Sequence, residues 1–308
     1  MSTLTPILFL LDDPVAGSTV PPHPRQADPA TAHVSVLDLG VTRGDGIFEA
    51  LAVVDGRAQA LDAHLARFRH SAAMLDLPLP ATEVWRDAIE RAVGRALADA
   101  PGAPELIVKT VLTRGIEGEG ARGCTGWVYV EQAHDFSDAR SRGLSVVTLD
   151  RGYRHDVADT SPWLLQGAKT LSYAVNKAAL REAGRRGADD VIFVSTDGFV
   201  LEGPTSSVIL HLDGVFVTPA LDQGILAGTT QAAVFDFCHE RGYRTEYRRV
   251  TPDELRRASS VWLASSVRQT APVTAIDDEP RGFDADVNAE IVAALLARGS
   301  RIGAVSAE

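Results

Sequence analysis

Two side chains, Lys169 and Glu202, offer the clearest chemistry in this sequence. The residues between them predict a helix, a buried strand at 190–195, a tight turn at 196–198 and a second strand that ends at Glu202. If this segment folds back on itself, both side chains can face one pocket. A lysine amine forms a Schiff base, and an acid can keep a pyridine nitrogen protonated so that the ring accepts electrons. The pair is therefore what pyridoxal phosphate chemistry requires.

Lys169 differs from an ordinary surface lysine because apolar residues stand on both sides of it. These neighbours are Leu164, Leu165, Leu171 and Val175. They predict a buried environment, in which a lysine can act as a nucleophile or a base near neutral pH. Lys177, among Ala, Arg and Glu residues on the following helix, lacks such neighbours. We therefore expect Lys169 to be the catalytic lysine.

Glu202 follows an apolar run and precedes Gly203 and Pro204, so we expect it to end a strand in a mostly apolar setting. A buried carboxylate is costly unless it is paired. A protonated pyridine nitrogen is one suitable partner for this carboxylate. A salt bridge to Arg185 or Arg186 is the alternative.

Three further segments accompany the 169–207 stretch in a recognisable order. They are RGDGIFE at 43–49, HLARFRHSA at 64–72 and GILAGTT at 224–230. Together the four segments resemble the fold-type IV pyridoxal-phosphate enzymes, a family that contains branched-chain aminotransferases, D-amino-acid aminotransferases and aminodeoxychorismate lyases. The resemblance extends from residue 37 to residue 273 and so covers most of the chain.

The resemblance implies a set of cofactor-binding residues. Arg67 would hold the cofactor phosphate, a role that suits a bidentate guanidinium, whereas the alternative is a solvated arginine on a helix. Glu202 would bind the pyridine nitrogen. The other predicted cofactor contacts are the hydroxyl groups of Thr205, Thr229, Thr230 and Ser266. The two threonines at 229–230 open a predicted helix, whose free N–H groups attract phosphate, although an ordinary N-cap is the alternative.

Two positions depart from the family pattern. Many members have Asn where this chain has Ser207, so we expect the hydrogen bonds beside the cofactor to differ. Tyr173 is a predicted substrate contact, but branched-chain aminotransferases place a tyrosine one position further from the lysine. The sequence shows no metal-ligand spacing of histidines and no obvious Ser-His-Asp set.

A glycine-rich loop follows Arg114 and lies between two predicted strands, 106–113 and 126–131. The tip of such a hairpin could close over a substrate. The resemblance implies that Arg114 binds a substrate carboxylate, and a purely structural role is the alternative. Residues 116–123 lack the Arg-x-His pair that D-amino-acid aminotransferases show in this loop, and they are closer to the lyase pattern.

The motifs favour a lyase reaction. The run KTLSY at 169–173 resembles the KTLN of many aminodeoxychorismate lyases, which convert 4-amino-4-deoxychorismate into 4-aminobenzoate and pyruvate in folate synthesis. Phe48 and Glu49 are shared with aminotransferases, so amino-group transfer from a D-amino acid or a branched-chain amino acid is the alternative. A non-enzymatic cofactor-binding protein is a third hypothesis. The intact set of Lys169, Glu202 and Arg67 argues against it.

The length of 308 residues is enough for two domains, each with its own core, and the resemblance implies an α/β (α+β) fold of two domains. The resemblance implies a smaller N-terminal α/β domain at 1–155 and a larger C-terminal domain at 163–308 with a mixed, barrel-like sheet. A polar stretch at 150–162 is the predicted interdomain connection. Proline-rich residues 12–33 are predicted to form a surface arm. A helix is predicted at 61–75, with Asp62 as its cap.

Composition limits the function classes. The net charge of −11 argues against binding to nucleic acid or to an anionic membrane surface, and no apolar run approaches the length of a membrane span. The N-terminal residues lack a basic region before their short apolar run, so a secretory signal is not expected. Two cysteines, Cys124 and Cys238, suit a reducing cytoplasm. We expect a cytoplasmic enzyme that acts on a small molecule, and the resemblance implies a homodimer.

Overall fold

The computed structural model describes residues 4–12, 14–17, 23–101, 105–118 and 123–302, and the chain divides into two units. The first unit comprises Met1–His134, Ala168–Tyr173 and Arg298–Glu308. The second unit comprises Asp135–Gly167 and Ala174–Ala297. Each unit contains one sheet with helices packed on it, so the predicted α/β fold class is confirmed.

The first unit is built on an antiparallel sheet, and its elements are numbered in chain order. Its helices are α1 (Leu39–Arg43), α2 (Leu61–Met74) and α3 (Thr82–Asp99). Its strands are β1 (Ile7–Leu11), β2 (Pro24–Ala27), β3 (Gly46–Val54), β4 (Arg57–Ala58), β5 (Glu105–Thr113), β6 (Thr125–Gln132) and β15 (Ser300–Arg301). The described strands run in the order β15-β4-β3-β5-β6-β1-β2, and neighbouring strands are antiparallel.

Strands β3 and β5 form the centre of this sheet and pair along their whole length. A hairpin at Asp55 and Gly56, a residue pair that favours tight turns, joins β3 to β4, and both residues adopt positive φ angles, 48° and 72°. Helices α2 and α3 cover the sheet. Phe68 of α2 meets Trp85 of α3 edge to face with ring centroids 4.8 Å apart, and both side chains are fully buried.

The short segment Ala168–Tyr173 belongs to the first unit because it adds to the edge of β3 at the strand's beginning. The Phe48 N–H donates to the Lys169 carbonyl at 3.1 Å, and the Leu171 N–H donates to the Gly46 carbonyl at 2.8 Å. Ile47 and Thr170 form an isolated antiparallel bridge. The backbone of the predicted catalytic lysine is therefore fixed by β3.

The second unit is built on a mixed sheet. Its helices are α4 (Ser137–Arg142), α5 (Val157–Thr160), α6 (Ala174–Arg185), α7 (Thr229–Glu240), α8 (Pro252–Arg257) and α9 (Ala285–Ala297). Its strands are β7 (Leu144–Asp150), β8 (Asp190–Val194), β9 (Ser207–Leu212), β10 (Val215–Pro219), β11 (Arg244–Arg248), β12 (Ser260–Ser265), β13 (Gln269–Ile276) and β14 (Glu279–Pro280). The described strands run in the order β11-β10-β9-β12-β13-β7-β8, with β14 paired to β13.

Both faces of this second sheet are covered, as the alternation along β9 shows. Val208 and Leu210 join one apolar cluster, and Ile209 between them joins another. The second cluster includes Phe235 of α7 and Ile291 of α9. A sheet buried on both faces accounts for the nearly continuous apolar sequence of its central strands.

The division of the chain differs from the predicted boundary at 155–163. Strand β7 pairs in parallel with β8 and with β13, so the second unit begins before β7. Residues 150–162, predicted to be a polar connection, contain α5 and lie within the second unit. Lys169, placed by prediction in the C-terminal domain, lies in the first unit because of its hydrogen bonds to β3.

Two local predictions in the first unit also require correction. The described part of residues 12–33 is not only a surface arm, because β2 pairs antiparallel with β1, while residues 13 and 18–22 lie outside the described chain. Asp62 does not cap α2. Ala60 in the left-handed region precedes that helix without a side-chain cap, and the Asp62 carboxylate instead pairs with Arg86 of α3.

The strand predicted to deliver Glu202 is shorter than expected. After the turn at 196–198, only Val200 forms a bridge, to Val194. The hairpin continues through single hydrogen bonds, from the Leu201 N–H to the Phe193 carbonyl at 2.8 Å and from the Phe193 N–H to the Glu202 carbonyl at 2.9 Å. Among the described residues, no helix combines the length and the apolar character that crossing a membrane requires.

Candidate active site

The Lys169 side chain lies on an aromatic surface in the first unit. Its Nζ atom is 4.4 Å from the centroid of the Phe48 ring, a cation–π distance. Tyr173 meets the same ring edge to face, with centroids 5.4 Å apart. The Lys169 N–H donates to the Ser71 hydroxyl of α2 at 3.1 Å. Strand β3 and helix α2 therefore position the lysine together.

The sequence argument selected Lys169 for a reason that the structure does not support. Of the four apolar neighbours, Leu164 and Val175 are 45% and 56% exposed, and Leu165 and Leu171 are only half-buried, so the predicted buried environment is not formed by these residues. Phe48 provides the apolar contact instead. Lys177 is exposed on α6, as expected.

The chain has one further lysine, Lys109, and its environment also differs from that of Lys169. It pairs with Glu131 at 2.5 Å on the surface of the first sheet. Lys109 also lies over an aromatic ring, since its Nζ atom is 5.6 Å from the centroid of the Tyr129 ring. What distinguishes Lys169 is its place beside a buried charged cluster, whose His64 is influenced by the Lys169 charge.

That cluster consists of Glu49, His64 and Arg67, all buried. The Arg67 Nε and Nη2 atoms donate to the two Glu49 carboxylate oxygens at 2.6 and 2.8 Å. His64 Nδ1 lies 2.7 Å from Glu49 Oε2. Residues 64, 67 and 71 share one face of α2, since they are spaced three and four apart. The predicted phosphate-binding arginine is therefore buried and held in a bidentate ion pair rather than solvated.

The charges of this cluster are set by burial and by its partners. Burial favours the neutral acid, but Arg67 and His64 outweigh it and lower the pKa of Glu49 from 4.5 to about 2. Burial lowers the pKa of His64 below its usual value, and the charges of Arg67 and Lys169 act in the same direction. We infer a neutral imidazole that donates Nδ1–H to an ionised Glu49.

Arg114, predicted either to bind a substrate carboxylate or to serve the structure, is held by its own unit. Its guanidinium donates to the Asp45 carboxylate at 2.7 and 3.3 Å. It also donates to the carbonyls of Leu75 and Asp76 at 2.7 and 3.2 Å. These hydrogen bonds support the purely structural role of Arg114, because they join the start of the loop to the end of α2.

A cavity of about 770 Å³ adjoins this arginine. Its lining includes Leu39, Arg43, Asp45, Arg114, Glu117 and Cys124. Burial raises the pKa of the Cys124 thiol, which makes it a poor nucleophile. Residues 119–122, the middle of the predicted substrate loop, lie outside the described chain.

Glu202 lies in the second unit and is half-buried. Its Oε2 atom accepts a hydrogen bond from the Leu226 N–H at 3.2 Å. The alternative salt bridge to Arg185 or Arg186 is not formed, because both arginines bind Glu182 on α6, each through its Nε at 2.8 Å. The Glu202 carboxylate therefore does not pair with either of the two arginines that the sequence suggested as alternatives.

The predicted hydroxyl groups of the second unit fall into one cluster and one outlier. Thr229 and Thr230 are buried in the first turn of α7, and the Thr229 Oγ1 lies 3.2 Å from the Ser266 Oγ. A Cβ atom at Gly228, which precedes this helix, would overlap the Ser207 hydroxyl. The result is a small cradle lined by hydroxyl groups at a helix N-terminus, where anions are favoured. Thr205 is exposed, in contrast to the two buried threonines.

Ser195, His155 and Asp197 also come together in the second unit, although the sequence did not suggest a Ser-His-Asp set. His155 Nδ1 is 2.6 Å from the Asp197 carboxylate, and the Ser195 hydroxyl donates to the same carboxylate at 2.7 Å. Because the serine donates to Asp197 and not to the histidine, the arrangement does not activate a nucleophile. It stabilises the turn at 196–198.

Comparison with known proteins identifies the family. The family model described as amino-transferase class IV matches residues 46–276, which is most of the chain. The chain belongs to the class IV aminotransferase family. It is 44% identical over 269 residues to the bifunctional aminodeoxychorismate lyase / D-amino acid transaminase of Mycobacterium tuberculosis, covering 84% of this chain and 92% of that protein.

Two solved structures of class IV enzymes are closely similar. A fold IV-transaminase from Curtobacterium pusillum has a TM-score of 0.91 and 57% identity, covering 95% of this chain and 99% of that one. The pyridoxal-phosphate-bound form of a protein described as a hypothetical aminotransferase from Mycobacterium tuberculosis has a TM-score of 0.86 and 40% identity, covering 94% of this chain and 99% of that one. Like other class IV aminotransferases, this chain is an enzyme whose cofactor is pyridoxal 5′-phosphate.

The residues of each unit suit parts of this cofactor. In the first unit, the Lys169 amine suits the aldehyde group, and the guanidinium of Arg67 suits a phosphate. In the second unit, the cradle at the start of α7 suits a phosphate, because Gly228 leaves space that a Cβ atom would fill. The Glu202 carboxylate suits a pyridine nitrogen. The sequence pattern had not revealed the partners Glu49, His64 and Ser71, although the spacing of residues 64, 67 and 71 on one helix could have indicated a shared face.

Proposed function

We propose that this class IV enzyme is an aminodeoxychorismate lyase that converts 4-amino-4-deoxychorismate into 4-aminobenzoate and pyruvate in folate synthesis. The observation that carries the proposal is the 44% identity to a relative named for this activity, which extends over nearly the whole of both chains. The KTLSY run at 169–173 and the loop after Arg114, which lacks an Arg-x-His pair, support the same choice.

We propose cofactor contacts in each unit, as the resemblance to the family implies. Arg67, Thr229, Thr230 and Ser266 would hold its phosphate, with Thr205 as a peripheral contact, and Glu202 would bind its pyridine nitrogen. Bound pyridoxal phosphate supplies an electron sink for the carbon that bears the substrate nitrogen.

Lys169 is the proposed proton carrier of the reaction. Its amine takes the proton from the carbon that bears the substrate nitrogen. The Ser71 hydroxyl holds the backbone N–H of this residue, and the Phe48 ring lies against its Nζ atom. The amine therefore returns to one position after each transfer. Tyr173, in contact with Phe48, is proposed to border the substrate.

Amino-group transfer is the second candidate function. The Mycobacterium relative is named for D-amino acid transaminase activity as well, and the Curtobacterium structure is a transaminase. In amino-group transfer, the same lysine would return the proton to a carbon of the cofactor. In the lyase reaction, the substrate would instead lose pyruvate.

The two functions are separated by supplying each substrate to the purified, cofactor-loaded protein. We expect 4-aminobenzoate from 4-amino-4-deoxychorismate, and none from a Lys169→Ala blank. A wild-type protein that retains its cofactor and yields no 4-aminobenzoate would contradict the lyase proposal. Keto-acid formation from D-alanine, or from branched-chain L-amino acids, would then identify the transferase.

We also propose that the enzyme works as a homodimer in the cytoplasm. In the first unit, Val36, Leu37 and Val41 are 80%, 64% and 62% exposed and lie at and just before α1. Neighbouring apolar side chains exposed to this degree are typical of interaction surfaces. Sedimentation of the wild type and of a Leu37→Asp variant tests this, since the variant should sediment as a monomer.

A further inference from the structure

The turn between β12 and β13, residues 266–268, carries one hydroxyl of the cradle at the start of α7, that of Ser266. Arg140 on α4 is buried and donates to two carbonyls of this turn. Its Nε atom donates to the Arg268 carbonyl at 2.9 Å, and its Nη2 atom donates to the Val267 carbonyl at 3.2 Å. Because the guanidinium is a rigid, planar group, these two bonds fix two successive peptide groups of the turn relative to α4.

The third carbonyl of the turn is held by Gln269, the residue that follows it. The Gln269 Nε2 atom donates to the Ser266 carbonyl at 2.8 Å, and the glutamine side chain is fully buried. Gln269 has a φ of 67°, in the left-handed region that glycine usually occupies in such short hairpin loops. The chain therefore keeps a strained residue at a place where its side chain fixes the backbone of Ser266.

A buried hydrogen-bond network holds Arg140 itself. The Asn288 Nδ2 atom on α9 donates to the Arg140 carbonyl at 2.9 Å, and the Trp262 Nε1 atom donates to the Asn288 Oδ1 atom at 3.1 Å. All three residues are buried. Trp262 lies on β12, the strand that leads into the turn. The network thus begins and ends on the same hairpin and joins it to α4 and α9.

These bonds determine where the Ser266 hydroxyl lies. Its Oγ atom is 3.2 Å from the Thr229 Oγ1 atom. Thr229 is fixed by the regular backbone of α7, whereas Ser266 stands in a turn without regular structure and depends on the side chains that bind its carbonyls. A site whose groups are in place before binding loses less conformational entropy when the ligand arrives.

We propose that Arg140 and Gln269 are positioning residues that hold the 266–268 turn in the form that binds the cofactor phosphate. The inference rests on the proposed phosphate contacts of Ser266 and Thr229. Without either positioning side chain, the turn adopts several conformations and the Ser266 hydroxyl leaves Thr229. The loss falls on the phosphate of the cofactor and spares its ring and aldehyde.

The test compares pyridoxal phosphate with pyridoxal, which has the same ring and aldehyde but no phosphate. Apoprotein is titrated with each ligand, and the dissociation constant of pyridoxal divided by that of pyridoxal phosphate measures the contribution of the phosphate. We expect Arg140→Gln and Gln269→Gly to lower this ratio at least about tenfold, the effect of losing one hydrogen bond to a charged phosphate. Affinity for pyridoxal should stay within about twofold of wild type. Gln269→Gly keeps the fold testable, because glycine accepts the left-handed backbone without strain.

The matched control is Arg281, whose guanidinium also donates to two backbone carbonyls in the second unit. Its partners are Leu255 and Ala258, at the end of α8. Arg281→Gln removes the same charge and the same kind of bonds, and it should leave the ratio at the wild-type value. Ser266→Ala is the reference variant and should lower the ratio, since it removes a proposed phosphate contact.

The outcomes separate the inference from the proposed function. A wild-type ratio in Arg140→Gln and Gln269→Gly, with a lowered ratio in Ser266→Ala, would overturn the inference and leave the proposed phosphate site intact. Equal loss of affinity for both ligands would also overturn it, since that result would show a general structural role. A wild-type ratio in Ser266→Ala would contradict the proposed phosphate contact and the inference together.

Discussion

Replacement of Glu49 by Gln is expected to destabilise the protein by about 3 kcal/mol at pH 7. The Glu49 carboxylate is buried and receives two hydrogen bonds from Arg67 and one from His64. A glutamine amide has one acceptor oxygen, so its NH₂ group would face one of these donors. Arg67 would then remain buried opposite a neutral group, and a buried charge that loses its partner typically costs 3–5 kcal/mol.

The pKa of Glu49 leads to the same magnitude by a separate route. The pKa is 4.5 for an unperturbed glutamate and about 2 in the folded protein. Each pKa unit corresponds to about 1.4 kcal/mol, so ionised Glu49 contributes about 3 kcal/mol. Since the folded-state pKa is depressed, this contribution is fully present above about pH 4.5 and is lost as the pH falls towards 2. At pH 3 about half or less should remain.

The assay is urea unfolding of the apoprotein at pH 7 and at pH 3, followed by circular dichroism. The matched control is Glu131→Gln, because Glu131 pairs with Lys109 at the surface of the same sheet and should cost less than about 1 kcal/mol. A Glu49→Gln protein within about 1 kcal/mol of wild type at pH 7 would refute the reasoning. A deficit equally large at both pH values would refute the electrostatic part of it.

Two further variants test the cofactor cradle and the loop arginine. Gly228→Ala should weaken pyridoxal phosphate binding at least about tenfold in a titration, because the added Cβ would displace the Ser207 hydroxyl. The control Gly184→Ala, which has open space around the added Cβ, should bind the cofactor like wild type. Equal affinity of the two variants would contradict the proposed cradle. Arg114→Gln should lower the free energy of unfolding by about 1 kcal/mol through loss of its bonds to Asp45, and should leave KM within about threefold. A large rise in KM with unchanged stability would instead show that the arginine binds substrate.

Much of the fold could be predicted because local patterns agree with it. Helices α2 and α7 begin within two residues of their predicted positions, and the strands on either side of the Arg114 loop pair as expected. The Asp55–Gly56 hairpin follows directly from two residues that tolerate positive φ. These features depend on residues close in sequence, which is where sequence patterns are informative.

The division of the chain could not be predicted because it depends on distant pairing. Strand β7 looks like the last strand of an N-terminal domain until it is paired with β8 and β13. The same limit affected Lys169, because its apolar neighbours Leu164 and Val175 are exposed, while Phe48 and Ser71 support it from far along the chain. The choice of Lys169 as the catalytic lysine stays a prediction from the motif, and its local surroundings differ from those that its apolar neighbours in sequence predicted.

The charged residues of the candidate site also combine features that the local sequence predicts with features that depend on distant residues. The arginine at 67 was expected from the motif, but its ion pair with Glu49 joins a helix to a strand and leaves no local trace in the sequence. Tyr153 lies within the predicted polar connection at 150–162, and its hydrogen bond to Gln166 is seen only in the folded chain.

The central claim is that Lys169 carries the cofactor, and reduction of the loaded enzyme with borohydride tests it most directly. The reduced link is stable, and the chain has only three lysines, Lys109, Lys169 and Lys177, which peptide mass spectrometry can separate. The account predicts one cofactor-modified peptide, containing residue 169, and no modified peptide from Lys169→Ala. Modification of Lys109 or Lys177 in the wild type, or persistent modification of the Lys169→Ala protein, would contradict it.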